Sequence, residues 1–198
     1  MTPESLFEAA LKRFDDENAR DPNQEIVDGI AQPRELVYAQ RLYEWVLKLA
    51  PHASPELLLA ARSQHICRWM ISRNKYPMDR VGYLKWRNEL KQFHSQKSSE
   101  ILRQLGFPEA TIDRVQALNL KRDFPRDLES RVLEDALCLV FLQFQFAELG
   151  ARTADDKMVN ALQKSWNKMT PNAREHALRL QYGPREKTLL DRALAETH

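Results

Sequence analysis

The chain has 198 residues, of which 43% are hydrophobic and 29% charged, with a formal net charge of +2. A chain of this length and balance can bury a core without disulfides or a structural metal. Its five glycines (Gly29, Gly82, Gly106, Gly150 and Gly183) lie far apart, which excludes clustered-glycine phosphate loops and dinucleotide folds. Two cysteines, Cys67 and Cys138, are too few for a disulfide framework or a Cys-rich zinc site.

The apolar spacing predicts helix almost throughout. Thr2-Pro3-Glu4 reads as an N-cap followed by proline and opens a helix to about Asp16. Asp21-Pro22-Asn23 is a turn, and Pro33 starts a second long helix carrying Leu36, Val37, Leu42, Trp45, Val46 and Leu49. Ser54-Pro55-Glu56 starts a third, expected to run to about Ile71. Residues 72–78 form a loop, after which Asp79 caps a long helix that Gly106 ends. Pro108 opens a shorter helix with Ile112, Val115 and Leu118, and Asp127 caps another that reaches about Leu149. C-terminal helices follow Thr170-Pro171 and Gly183-Pro184. No segment alternates long enough to predict a strand.

The expectation is therefore an all-α bundle of about eight to ten helices. It would fold as a single domain over 1–198, with a core at about 57–146 and the terminal helices packed on it. The first residues lack the pattern of a signal or transit peptide. The longest apolar run, Ala136 to Phe144, is too short to cross a bilayer. Cytoplasmic location and no membrane partner are expected.

Charge is uneven. Between Arg62 and Lys97 there are nine basic residues against two acidic ones, a local net charge of +7 interleaved with Trp69, Tyr76, Tyr83, Trp86 and Phe93. Such a field concentrates an anion. It also suits a solvated helix face with long basic side chains.

Asp135 is the most informative position. Leu128, Val132, Asp135, Leu139, Leu142 and Phe146 form the expected inward stripe of their helix, which places an acid on an apolar face. A buried carboxylate must be paired, protonated or bound to a cation. Glu134 points about 100° away and is a candidate second carboxylate. His65 is expected mid-helix with Arg62 and Arg68 on its face, which favours the neutral imidazole of a ligand, a base or an ordinary core histidine. Arg80, Arg87 and His94 are seven apart on the long helix, with Tyr83 and Leu90 between them. With Arg73 and Tyr76 in the preceding loop they form a candidate anion-binding wall, or the polar face of an amphipathic helix. His52 and His176 read as surface residues, and His198 is the last residue.

The order His65, His94 and Glu134-Asp135 in a helical chain resembles the HD-domain superfamily of metal-dependent phosphohydrolases, over about Leu57 to Phe146. Arg62-x-x-His65 resembles the first metal histidine with its arginine, and Asp135 falls where those enzymes carry their last metal-binding aspartate. The chain departs from the pattern in having no His-Asp doublet; the corresponding stretch reads Gly82-Tyr83-Leu84-Lys85-Trp86-Arg87. At closer range the chain resembles an uncharacterised domain-of-unknown-function family related to HD domains. Asp21-Pro22-Asn23, Gln64 to Trp69, Tyr76 to Arg80 with Gly82-Tyr83 and Trp86-Arg87, Leu133-Glu134-Asp135, Cys138 to Leu142 and Trp166-x-Lys168-Met169 carry that match.

The resemblance implies a pocket for a phosphate-bearing small molecule or nucleotide. His65, His94 and Asp135 would be its catalytic or metal-holding centre, with one divalent metal ion as the implied cofactor. Arg68, Trp69, Arg73, Tyr76, Arg80, Tyr83, Trp86 and Arg87 would line the ligand. A divergent phosphohydrolase is one expectation. The alternatives are a non-catalytic ligand-binding module, single-stranded nucleic acid on the 62–97 window, or a buried network that only fixes helix register.

Overall fold

Proline and hydroxyl or carboxylate caps start most of the helices: the polar caps accept from backbone N–H groups that the first turn leaves without partners, and proline brings no such N–H. In the computed structural model, which describes residues 2–195, the chain is predominantly α-helical, as its apolar spacing predicts. His198 lies outside the described residues. The described residues divide after Ser130 into two compact units.

In the first unit, Thr2 Oγ1 accepts from Ser5 N at the start of α1 (Pro3–Asn18). Ser54 Oγ accepts from Leu57 N at the start of α3 (Pro55–Ser63). Asp79 Oδ1 accepts from Gly82 N at 2.7 Å to open α4 (Arg80–Leu105), which closes on Gly106 at φ +88°. Helix α2 (Arg34–Leu49) follows Pro33, and α5 (Glu109–Leu120) follows Pro108.

Strands do form, contrary to the absence expected from the sequence. Gln24–Val27 (β1) and Ile30–Pro33 (β2) pair antiparallel, with Asp28 and Gly29 at positive φ in the turn. The hairpin is too short and too exposed for alternation to reveal it. An Asp-Gly turn and the buried Asp21 hold it instead. One Asp21 oxygen accepts from Asn23 N and Asn23 Nδ2, the other from Glu35 N at 3.0 Å. A single carboxylate thus ties the turn before the hairpin to the first turn of α2.

Helix α3 is the hub, packing on α1, α2, α4 and α5. Leu57, Leu59, Ala60 and Ala61 are all buried, and the alanines let neighbouring backbones approach. A polar seam runs beside it: Asn119 Nδ2 donates to Ser63 Oγ and Ser98 Oγ, and Ser99 Oγ donates back to Ser95 O. The serine-rich part of α4 is a buried small-residue face, with Ser95, Ser98 and Ser99 all buried.

The expected run of α3 to Ile71 is corrected. The helix ends at Ser63, and the chain passes through turns to a left-handed Cys67 (φ +53°) and a 3₁₀ turn at Arg68–Met70. Ser63 Oγ bonds back to Leu59 O, and Asn18 of α1 accepts the Cys67 N–H at 3.1 Å. That outside acceptor removes Cys67 from the helical ladder. Neither glycine nor proline announces it.

The second unit holds most of α6 (Leu128–Val140), then α7 (Phe146–Ala151), α8 (Asp155–Lys168), α9 (Pro171–Leu178) and α10 (Pro184–Ala195). Where one helix is expected to Leu149, a π-helical stretch at Phe141–Gln145 intervenes and resets the inward face. The expected stripe is also corrected at its start, because Leu128 is 78% exposed while Leu133, Asp135, Ala136 and Leu139 are buried. Leu128 is the first residue of its helix, before the apolar face is covered. Each unit contains one buried free thiol, Cys67 in the first and Cys138 in the second.

The loop before α4 is anchored at several points. A Cβ placed on Gly82 would lie 2.2 Å from the Pro77 carbonyl oxygen. Arg73 donates to the Tyr76 and Asp79 carbonyls, and Trp86 Nε1 donates to Ile71 O at 2.9 Å. The loop therefore packs directly on the first turn of α4. Gly82→Ala should cost about 1–3 kcal/mol by forcing backbone away from that turn, read as a lower denaturant midpoint with unchanged m-value. An unchanged midpoint would show that the loop yields without cost.

Candidate functional site

The polar centre of the first unit assembles around the turn that ends α3. His65 lies in this turn and not mid-helix, which corrects the expected placement. Its ring stacks on Tyr38 of α2 at 4.3 Å between centroids and sits 5.7 Å from the ring of His94. Of the two arginines expected beside it, one is elsewhere. Arg62 makes a two-pronged pair with Asp15, both contacts at 2.7 Å, and its guanidinium covers the Tyr43 ring. Arg68 remains, with Nη1 at 3.4 Å from His65 Nε2.

The hydrogen positions follow from the partners. A guanidinium only donates, so His65 Nε2 is the acceptor and the ring proton sits on Nδ1. That Nδ1 faces Glu35 Oε2 at 3.9 Å. His94 Nδ1 lies 2.7 Å from the Ile66 carbonyl oxygen and must donate to it, which leaves Nε2 as a bare lone pair. Among the described residues, neither Glu35 Oε2 nor His94 Nε2 has a hydrogen-bond partner.

Burial sets the charge states. It pushes His65 well below the ordinary imidazole value, with the Arg68 guanidinium next in effect, then His94, Arg87 and Lys121. The neutral form is thus the expected one, although burial contributes more than the arginines. His94 is pushed down to about 4 by burial, against the opposing pull of the Ile66 carbonyl. Glu35 moves the other way: burial raises it to about 7, with Arg68 opposing and the Asp21 carboxylate adding. A carboxyl near neutrality therefore lies behind a neutral imidazole. The His65 side chain keeps 24% exposure and Arg68 32%, so the group opens to solvent at their end with Glu35 at its floor.

The Arg80–Arg87–His94 stripe is divided. The first turns of α4 are largely exposed, and the buried face of the helix runs from Leu90 through His94, Ser95, Ser98 and Ser99. His94 joins the centre, whereas Arg80 is exposed at the first residue of the helix. Arg87 is exposed and donates to Tyr83 Oη at 3.2 Å, while its charge still acts on His65. The Trp86 ring carries the Arg68 guanidinium at 5.1 Å and that of Arg73 at 6.0 Å, so this indole positions arginines. Arg73 itself holds loop carbonyls. Trp69 and Tyr76 are half-buried.

Asp135 belongs to the second unit. It is buried, and its two oxygens accept from the backbone N and the hydroxyl of Thr170, at 2.9 and 2.6 Å. Thr170 is the N-cap of α9, so Asp135 orients a helix start. Burial raises its pKa above the ordinary carboxylate value, against the Thr170 hydrogen bonds and Arg131. Glu134 pairs with Lys168 at 2.9 Å. Among the described residues, no group of three or more His, Cys, Asp or Glu side chains is gathered to hold a metal ion.

Glu35, Asp21 and Tyr38 were missed as site residues, yet a signal existed. Glu35, Tyr38, Leu42 and Trp45 lie 3, 4 and 3 apart, an acid at the end of an apolar helix face. The same pattern singled out Asp135. A glutamate in a first helical turn reads more simply as a complement to the helix dipole, which hides it.

Because the folded pKa of Glu35 is raised, its contribution to stability is full below about 4.5 and is lost as pH rises through about 7. Between about pH 4.5 and about pH 8, the wild-type chain should lose about 3 kcal/mol that Glu35→Gln retains. Urea unfolding at both pH values checks this, and parallel losses in the two proteins would show that Glu35 does not titrate near neutrality. Among the described residues, no helix is long and apolar enough to cross a membrane. No curated protein and no solved structure gives a significant match to this chain. The family of the domain of unknown function DUF4202 matches residues 8–190, nearly the whole sequence, and the chain belongs to that family.

Proposed function

We propose that the first unit binds a phosphate-bearing small molecule or nucleotide at the mouth formed by Arg68 and His65. The observation that carries this reading is the electrostatic state of Arg68. Its carboxylate neighbour, Glu35, stands 3.8 Å away and is raised to about 7, so near neutrality the guanidinium faces a half-neutralised partner. A partly exposed guanidinium with an incomplete counter-charge favours an anion, and its planar fork matches two phosphate oxygens. Trp86 holds its plane, and Arg87 adds to the local positive field.

When Arg68 engages the anion, His65 Nε2 is released as an acceptor for a ligand hydroxyl or a water. Glu35, behind Nδ1–H, would stabilise the imidazolium if that proton is taken. His94 Nε2 supplies a second acceptor. The similarity in residue order to HD-domain phosphohydrolases supports phosphate as the anion. The missing His-Asp doublet supports binding as the primary activity, with phosphate-ester hydrolysis secondary to it. The reading rests on the first unit and requires no metal; Asp135 enters it only through the resemblance.

Nucleic acid on the 62–97 window draws less support. Arg62 and Lys97 pair with buried or half-buried acids, and Arg73 holds backbone carbonyls.

Thermal-shift and calorimetric titration with inorganic phosphate and nucleoside monophosphates test the proposal. Binding should weaken about tenfold or more in Arg68→Ala and be unchanged in Arg80→Ala. No stabilisation by any phosphorylated probe would overturn it. Release of inorganic phosphate during incubation separates hydrolase from binder. Protein prepared without chelators should carry no stoichiometric metal, and near-stoichiometric metal lost in His65→Ala would replace the metal-independent reading.

A further inference from the structure

The loop and first turns of α4 expose apolar side chains on a basic field. Met78 is 81% exposed, Val81 75% and Leu84 56%. Val81 and Leu84 are three apart on one helix face, and Met78 immediately precedes the Asp79 cap. Exposure this high means that the side chains stand out from the surface and do not line a groove, so a rigid helical partner would gain little by lying along them. Lys75, Arg80 and Lys85 are exposed on the same segment, and none has an ion-pair partner among the described residues. Of the two acids in this segment, Asp79 is engaged by Gly82 N and Glu89 lies one helical turn beyond Lys85, so the corner keeps a net positive charge.

We infer that this corner docks on an anionic bilayer surface, with Met78, Val81 and Leu84 entering the interface and Lys75, Arg80 and Lys85 meeting lipid headgroups. Protruding aliphatic side chains ringed by Lys and Arg are what such an interface accommodates. Single-stranded nucleic acid would need exposed rings for stacking. Here the three most exposed apolar side chains are aliphatic, Tyr83 at 42% exposure carries the Arg87 guanidinium over its ring, and Trp86 is covered by Arg68 and Arg73. The anchoring of the loop on Gly82 presents the three side chains without an ordering cost. Surface attachment is separate from spanning, which the length of apolar runs addresses. It is also independent of the phosphate site, because it uses none of the residues gathered at His65.

Co-sedimentation of the full chain with vesicles tests the inference, using phosphatidylcholine alone and phosphatidylcholine mixed with phosphatidylserine. The protein should pellet with the anionic vesicles, much less with the neutral ones, and progressively less as salt is raised. Removing one charge, as in Lys85→Ser, should weaken association about fivefold. The double variant Val81→Ser/Leu84→Ser should weaken it further while its thermal unfolding stays close to wild type, since both side chains are exposed. Failure to pellet with anionic vesicles overturns the proposal. So does unchanged pelleting of the serine double variant, or association abolished in it together with the fold while Lys85→Ser binds like wild type. Binding to single-stranded oligonucleotides that depends on the lysine but not on Val81 and Leu84, without vesicle binding, would assign the corner to nucleic acid.

Discussion

The hydrogen bond from Cys67 N–H to Asn18 Oδ1 is the constraint on which the centre of the first unit depends. Continued as a helix, the segment after Ser63 would aim His65, Ile66 and Arg68 in directions set by the 3.6-residue period. Drawn out by Asn18 and turned left-handed at Cys67, it places His65 against Tyr38 and Arg68 against Trp86, and offers the Ile66 carbonyl to His94. A left-handed non-glycine residue costs about 1 kcal/mol or more. Here the cost is borne at the point that brings α2, α4 and the turn after α3 to one place.

Asp21 supplies the complementary restraint. By accepting from Glu35 N it fixes the first turn of α2, and through its own charge it helps keep the Glu35 carboxyl proton-bound. One buried acid therefore shapes the backbone and tunes the protonation of another. The two imidazoles respond in the opposite sense to the same burial, so the centre holds a weakly acidic carboxyl beside two unprotonated ring nitrogens.

Much of the helical layout was legible, because caps and breakers act locally. Asp79 and Gly106 bound α4 where the sequence placed them, and Ser54 and Thr170 cap α3 and α9 as read. What was not legible depends on contacts distant in sequence. The end of α3 is set by Asn18, forty-nine residues from Cys67, and the hairpin by Asp21 reaching Glu35. The basic window was real as composition but divided in space: Arg62, Arg73 and Lys97 are engaged internally, Arg68 faces the histidines, and Arg80 and Lys85 face solvent. His65, His94 and Asp135 were singled out from their types and spacing, and His94 and Asp135 are buried. The partners that define them, Glu35, Ile66 O and Thr170, carry no motif.

The two cysteines give the molecule a built-in reporter. Cys67 is buried beside Glu17, and burial together with that carboxylate raises its thiol to about 11; Cys138 is buried with Sγ near Ser165 O. Both sulfurs are buried, and at Cys67 the thiolate is further disfavoured, so alkylation under native conditions proceeds only as fast as the chain exposes each sulfur. Because there is one thiol in each compact unit, mass spectrometry of the labelled peptides would resolve the opening free energies of the two halves separately, with no engineered probe.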